Sequence, residues 1–528
     1  MAIANIDKLD KLNTGRIKLN QAIDQTNTLQ GQLDTIVLES GTSDAEVIQA
    51  RGSEPLLYNR LDKVDTQLAE KVKPIELYAS RFMYGYFQKP SDFKPLIPCN
   101  FFRDSNGVMQ NDMDFTKYTG GTAIYVNLDT GSDSTADGSS IDTPYKTIKE
   151  AMIYISSAID GAYSVRVLND SIFMRDEGWL STGDTFTNKT ISLIPENASN
   201  RIMLSGGQRA LSWIEDGVGT WKATRSSVRS VYDISIVDSN GLQIPYTAKG
   251  SLADCQSTQK TWYTDGTDVW VHTKDNLVPT TENIIVGISH ILRYVLLGTS
   301  KMYWNNVTLL GSGSDDGMSV RGDLTGATVT GEFCAENCNF IGGSLAVNIS
   351  GAHGNALAIA ALKLTYLFNC KSAYAKRDGF NFHYTQVPEA NRRDCFALLY
   401  GCESYNHGLI SDTTSNNAFT SHEGANILLV NSNGHNTRGS VLINVNGCYT
   451  VALDCNMRDS TAGKAVYHFS TISPPAGVIG KVVLINCTHN GETLSSPDLY
   501  LDDTTQSELY YTNLPNLQPG SATPTILI

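Results

Sequence analysis

The chain has 528 residues, room for two to four domains. It carries a formal net charge of −14 with 18% charged residues, below the usual share of about 25%. An acidic balance without a basic stripe excludes nucleic acid as a partner, and the lack of any apolar run of about 18 residues excludes a membrane-spanning helix. Met1-Ala2-Ile3-Ala4 runs straight into charged sequence, so synthesis in a reducing cytoplasm without a secretory signal is expected.

Residues 1–38 place Leu9, Leu12, Leu19, Ile23, Leu33 and Val37 on a and d positions of one heptad frame, interrupted by Arg16, Thr26 and Gln30. The pattern predicts a short, imperfect coiled coil, or a single amphipathic helix. Ser40-Gly41-Thr42-Ser43-Asp44 reads as a turn and helix start, and Leu57 to Val72 as a second helix with Leu61, Val64 and Leu68 on one face. The run Ser40–Arg51 followed by Leu57-Tyr58-Asn59-Arg60-Leu61-Asp62 resembles the N-terminal segments of tail and baseplate proteins from phages of Gram-positive bacteria. That resemblance implies a trimeric attachment stalk over 1–72, docking on other tail or baseplate proteins. Residues 73–120, rich in aromatics and prolines, read as a linker or small cap.

At 121–155 a strand (Ile124-Tyr125-Val126-Asn127), two turns (Gly131-Ser132-Asp133 and Asp137-Gly138) and a helix from Thr143-Pro144-Tyr145-Lys146-Thr147-Ile148 to Ile155 follow in order. This order resembles the opening of pectate-lyase-like β-helix proteins, where the helix covers the first coil. An uncovered solenoid end exposes unpaired strand edges and apolar core, so the cover has a physical purpose. Val165–Leu168, Ile191–Ile194 and Ile202–Leu204 read as first coils. Residues of about 207–300 break the pattern and hold Trp213, Trp221, Trp262 and Trp270. A lateral β insertion is expected there, its tryptophans packing the insertion or stacking on sugar rings.

From 302 to 490 one unit recurs. An apolar run ends in a small polar residue and usually Cys: Asn305, Asn337-Cys338, Asn369-Cys370, Gly401-Cys402, Asn431-Ser432, Asp454-Cys455 and Asn486-Cys487, spaced 32, 32, 32, 30, 23 and 32 residues apart. A strand-then-turn unit at this spacing predicts a solenoid, and its short β-branched and aromatic strands predict an all-β, right-handed parallel β-helix over 121–490. Ten Cys without a CxxC pair fit a buried thiol ladder through Cys338, Cys370, Cys402, Cys455 and Cys487 better than disulfides or a metal site. Residues 491–528 read as a C-terminal cap.

Titratable residues crowd consecutive coils between 376 and 438. Asp378, His383, Asp412, His422 and Glu423 are candidate catalytic groups; Asn381, His407, His435 and Arg438 are candidate substrate contacts. Coils about 4.8 Å apart bracket the carboxylate spacings of glycoside hydrolysis. A His beside an acid equally suits proton transfer in phosphodiester cleavage or a metal; these alternatives stay open, no residue is assigned to a metal and the cofactor is unknown. Asp378-Gly379-Phe380-Asn381-Phe382-His383, Ser415-Asn416-Asn417 to His422-Glu423-Gly424, and Asn446-Gly447-Cys448-Tyr449-Thr450-Val451 are similar to the β-helix of pre-neck appendage and tailspike proteins of short-tailed phages infecting Gram-positive hosts. The resemblance implies a virion tail protein, a homotrimer that binds and depolymerises wall teichoic acid or a related host cell-wall polysaccharide, with Asp378, His383, His422 and Glu423 as polar site residues. A receptor-binding fibre that holds the glycan without cutting it is the second reading, and a polysaccharide lyase, against which the stalk argues, is a third.

Overall fold

The computed structural model describes residues 21–32, 96–104, 108–174, 184–289 and, with short gaps, 292–488, together with strands between 499 and 526. The chain divides into two units. In the first, residues 21–32 are helical and Phe101–Arg103 pairs antiparallel with Met109–Asn111. The remainder of the expected stalk, 1–20 and 33–72, lies outside the described residues. Among the described residues no helix is long and apolar enough to cross a membrane.

The second unit is a solenoid. Among its described residues, three parallel sheets carry twelve, ten and eight strands. From Leu292 the chain visits them in fixed order. Leu292–Leu297 joins the ten-stranded sheet, Lys301–Asn305 the twelve-stranded and Val307–Gly311 the eight-stranded. The cycle repeats with Met318–Arg321, Thr330–Glu336 and Asn339–Gly342, with Leu357–Ala360, Leu362–Phe368 and Lys371–Ala373, then with Phe380–His383, Phe396–Tyr400 and Glu403–Tyr405, and then with Phe419–His422, Asn426–Val430 and Asn433–His435. That winding is a parallel β-helix. Pieces of strand from Leu499–Leu501 to Thr525–Ile526 extend the ten- and twelve-stranded sheets.

Alternation along each strand sends one set of side chains inward. Phe380 stacks on Phe419 one coil on, with ring centroids 5.7 Å apart, in a core that also holds Leu357, Phe382 and Leu442. The recurring turn has a single geometry. Asn306, Asn337, Asn369, Gly401, Asn431, Asp454 and Asn486 have φ between +50° and +62°, the left-handed region that Asn, Asp and Gly tolerate best. The residue after the turn points inward. The Cys370, Cys402 and Cys487 thiols donate to carbonyls of the preceding coil, those of Ala335, Leu367 and Ala452, at 3.3–3.4 Å. Ser432 substitutes by donating its hydroxyl to Leu399 O. The five expected ladder cysteines are all buried and free.

Helix Ile148–Ser157 buries Ile148, Ala151, Met152 and Ile155 at i, i+3, i+4 and i+7 on the solenoid core. The Thr147 hydroxyl accepts from Glu150 N and donates to Asp133 Oδ2, which fixes the helix start. Helix Thr116–Thr119 lays Tyr118 against Tyr303 of the twelve-stranded sheet, centroids 5.4 Å apart.

Between Gly207 and Ile288 two additional sheets of five and four strands form. Trp262 and Trp270 are buried there, their indole N–H groups donating to Tyr246 O (3.1 Å) and Asp216 Oδ2 (2.6 Å). Trp213 packs against the same core. These tryptophans fill the insertion; Trp262 and Trp270 have no face left for a sugar ring.

Candidate functional site

In the ten-stranded sheet Phe380, Phe382 and Phe419 belong to the solenoid core. Asn381, Thr420 and Ser421 are buried as well, and only the last residue of each strand, His383 and His422, is partly exposed. Parallel register pairs Asn381 with Thr420 and Phe382 with Ser421. The next rung therefore sets His383 beside His422, their rings 4.1 Å apart between centroids and 7° from parallel. His422 ends its strand, and Glu423 turns the corner toward Asn426–Val430 with φ +49°. That left-handed corner, which Ala361 also adopts, directs the carboxylate back to the two imidazoles. Glu423 Oε2 lies 4.0 Å from His383 Nδ1, and Oε1 lies 4.0 Å from His422 Nδ1. The side chains are 36%, 20% and 13% exposed for His383, His422 and Glu423, so the group is recessed yet open to solvent.

The electrostatics follow from the stacking. Two imidazolium ions at this distance repel, and desolvation adds to the penalty. Burial first, and His383 second, hold the pKa of His422 well below the ordinary histidine value. A neutral imidazole beside a carboxylate can take up or pass on a proton. Two imidazole nitrogens and a carboxylate oxygen within 4.8 Å of one another are also a possible ligand set.

The other expected site residues fall elsewhere. Asp378 is 4% exposed, and its carboxylate is enclosed: Oδ1 accepts from Asn417 N (2.9 Å) and Nδ2 (3.0 Å), and Oδ2 from Asn381 Nδ2 (2.6 Å). Its own N–H donates to Asn355 Oδ1, whose Nδ2 donates to Asp316 Oδ1. Asp316, Asn355, Asp378 and Asn417 thus form a polar ladder up one corner of the solenoid, and burial raises the Asp378 pKa despite its donors. The geometry makes Asp378 and Asn381 members of the wall rather than groups facing a polymer.

His407 is 1% exposed. Its Nδ1 accepts from Ala375 N at 3.2 Å, which leaves Nε2 as the protonated nitrogen donating to Ser404 Oγ at 2.9 Å. Ser404 Oγ also accepts from Ser372 Oγ and donates to Ala418 O. Burial pushes the His407 pKa down to about 3. It is a satisfied core histidine and is removed from the substrate contacts. Arg438 is half-buried, its backbone N–H donating to His407 O. Asp412 lies outside the described residues.

His435 sits on the eight-stranded sheet, apart from the His383 pair. It stacks on Tyr405 (centroids 5.0 Å, 7°) with Nε2 3.3 Å from Glu403 Oε1, and Lys371 lies 3.4 Å from the other oxygen of Glu403. His435 first, then Lys371, hold Glu403 below the usual carboxylate range. Beside them Tyr374 and Tyr405 both donate to Asp238 Oδ2, at 2.8 and 2.6 Å. Apart from His435, the members of this second polar cluster escaped the sequence reading. Its signal was present: Lys371, Glu403 and Asn433 hold the same offset from successive turns, which a coil-by-coil alignment places in one column.

No protein-family model and no curated protein sequence matches the chain. Solved structures similar to it include a glycoside hydrolase (10% identity over 77% of this chain and 96% of that one, TM-score 0.44), the pectate lyase Pel9A (12%, 73% and 79%, TM-score 0.35) and the tailspike protein gp49 of Pseudomonas phage LKA1 (12%, 71% and 70%, TM-score 0.27). These are distant likenesses of architecture.

Proposed function

We propose that this chain is the tailspike of a phage infecting a Gram-positive bacterium, a homotrimer that binds wall teichoic acid or a related surface glycan and cleaves it at His383, His422 and Glu423. One observation carries the reading: the outer face of two adjacent coils gathers a carboxylate and two imidazoles in a recessed, solvent-reachable group. Support for the phage setting comes from the sequence resemblances of residues 40–62 and of the 378–383 and 415–424 segments.

The composition of the group favours phosphodiester cleavage. Glycoside hydrolysis uses paired carboxylates, whereas this group sets one carboxylate against two imidazoles. Water adds across the linkage. Its hydroxyl goes to phosphorus, and its proton passes through the imidazole–carboxylate group to the leaving polyol oxygen. His383, the most exposed of the three, faces the polymer, and the Glu423 carboxylate stabilises the imidazolium formed when a ring takes up the proton.

The test is release of soluble phosphate-containing fragments from purified Gram-positive cell walls. The wild type should release them, and Glu423→Gln should retain wall binding while losing about 100-fold or more in rate. Binding without release from any wall preparation would overturn the enzymatic reading in favour of a non-cleaving receptor-binding fibre.

A further inference from the structure

We propose that His383, His422 and Glu423 form a binding site for one divalent transition-metal ion of the zinc or cobalt type. The inference deepens the proposed function, on which its catalytic consequence rests; the binding itself does not depend on it.

The first observation is direction. Each imidazole turns the same atom, Nδ1, toward Glu423, and each Nδ1 meets a different carboxylate oxygen at 4.0 Å. That separation is too long for a hydrogen bond, so the contacts within the trio are not what a hydrogen-bonded cluster would show. It is close to what a shared ion demands. Ligand atoms at about 2.1 Å from a tetrahedral zinc-type ion lie about 3.4 Å from one another. All the ligating atoms lie within 4.8 Å of one another, so no pair has to close by more than about 1.4 Å; because the two rings stack 7° from parallel, a shared ion also requires them to tilt until both Nδ1 lone pairs converge, a side-chain rotation.

The second observation is backbone conformation. Glu423 holds φ +49° at the corner between the ten- and twelve-stranded sheets, a left-handed conformation that Asn188, Gly298 and Ala361 repeat at the equivalent corners of other coils. Here it aims a carboxylate at two nitrogens.

The donor set then selects the ion. Two imidazoles and one carboxylate suit borderline divalent ions, and three protein ligands leave coordination positions open to water or substrate. Partial exposure of all three side chains keeps those positions reachable. An ion also answers a charge problem. The chain carries a net −14, and Glu423 alone would meet the phosphodiester of an anionic polymer as a like charge. A divalent ion reverses the sign locally and gives a phosphoryl oxygen a partner.

The experiment strips the full chain with chelator and titrates it with CoCl2, following binding by calorimetry and absorption. One ion per chain is expected, with nitrogen–oxygen ligand-field bands; a thiolate charge-transfer band would instead place the ion on cysteines, none of which is in a disulfide. His383→Ala and Glu423→Gln should each weaken binding by at least about tenfold while circular dichroism shows the β fold unchanged. Absence of stoichiometric binding, or binding that persists in the His383→Ala/His422→Ala double variant, overturns the inference. Fragment release by chelator-treated protein that binds no cobalt would sink the metal site and leave the proposed function standing. Cobalt binding at these residues without fragment release from any wall would keep the site and remove the reaction.

Discussion

Glu423 occupies a backbone conformation that glycine would hold without strain, at the corner where the outer face of the solenoid needs a carboxylate. If the residue is there for its side chain, replacing it should separate stability from function. Glu423→Gly removes the Cβ clash of the left-handed region, at the cost of extra chain entropy in the unfolded state. Its thermal midpoint should therefore equal or exceed that of the wild type, with fragment release lost. A fall of several degrees in a thermal melt would instead make Glu423 a structural corner residue. Asp378 shows the opposite case. Sequence alone presents Asp378-Gly379 and His422-Glu423-Gly424 as comparable acid–glycine turns. What separates them is the Asn355 and Asn417 side chains, which close around Asp378 from the coils on either side and are invisible until register is known. His407 is hidden for the same reason, because its partners Ser404 and Ala375 come from two coils.

At the scale of elements, the strands and their turn were legible because each repeat states the same rule: apolar alternation, a left-handed Asn, Asp or Gly, then a small inward Cys or Ser. Which face each histidine takes was not legible. The parity of a strand is set by where the strand starts, and the excursions between the ten- and twelve-stranded sheets vary in length. His383 needs thirteen residues to reach Phe396, whereas His422 needs four to reach Asn426. Counting along the chain therefore groups His383 and His435 in one set of candidates on consecutive coils, while the register places them on different sheets. The opening helix was readable from the order of strand, turns and helix, and its loop supplies a pH test. Asp137 accepts from Ser139 N, Ser139 Oγ and Thr143 Oγ1 at 2.8–3.0 Å, and these donors, the backbone one first, push its pKa down to about 2. A carboxylate with a depressed folded-state pKa contributes stability above its unfolded value of about 3.9 and loses it as pH falls through the folded value. Asp137→Asn should accordingly lower the thermal midpoint at pH 6 and reduce the further drop seen between pH 4 and pH 2. An unchanged pH 6 midpoint and an unchanged acid limb would show that the loop bonds contribute nothing to folding.

At the scale of the whole molecule, stacking turns small side-chain choices into columns. The thiol ladder, the Asp316-to-Asn417 corner and the Lys371–Glu403 column each arise because adjacent coils superimpose equivalent positions about 4.8 Å apart. The His383–His422 pair is one rung of such a column, and the Glu423 corner completes it. A net charge of −14 gives no long-range attraction to an anionic wall polymer, so affinity has to come from local contacts, multiplied in the proposed trimer by three equivalent sites on one repeating ligand. The most direct test is a crystal structure of Glu423→Gln soaked with a short teichoic-acid fragment. The account predicts the fragment on the outer face of the ten-stranded sheet, with a phosphoryl group within contact distance of His383 and His422. A fragment bound only at Glu403 and His435 on the eight-stranded sheet, with the face at His383 bare, would contradict it.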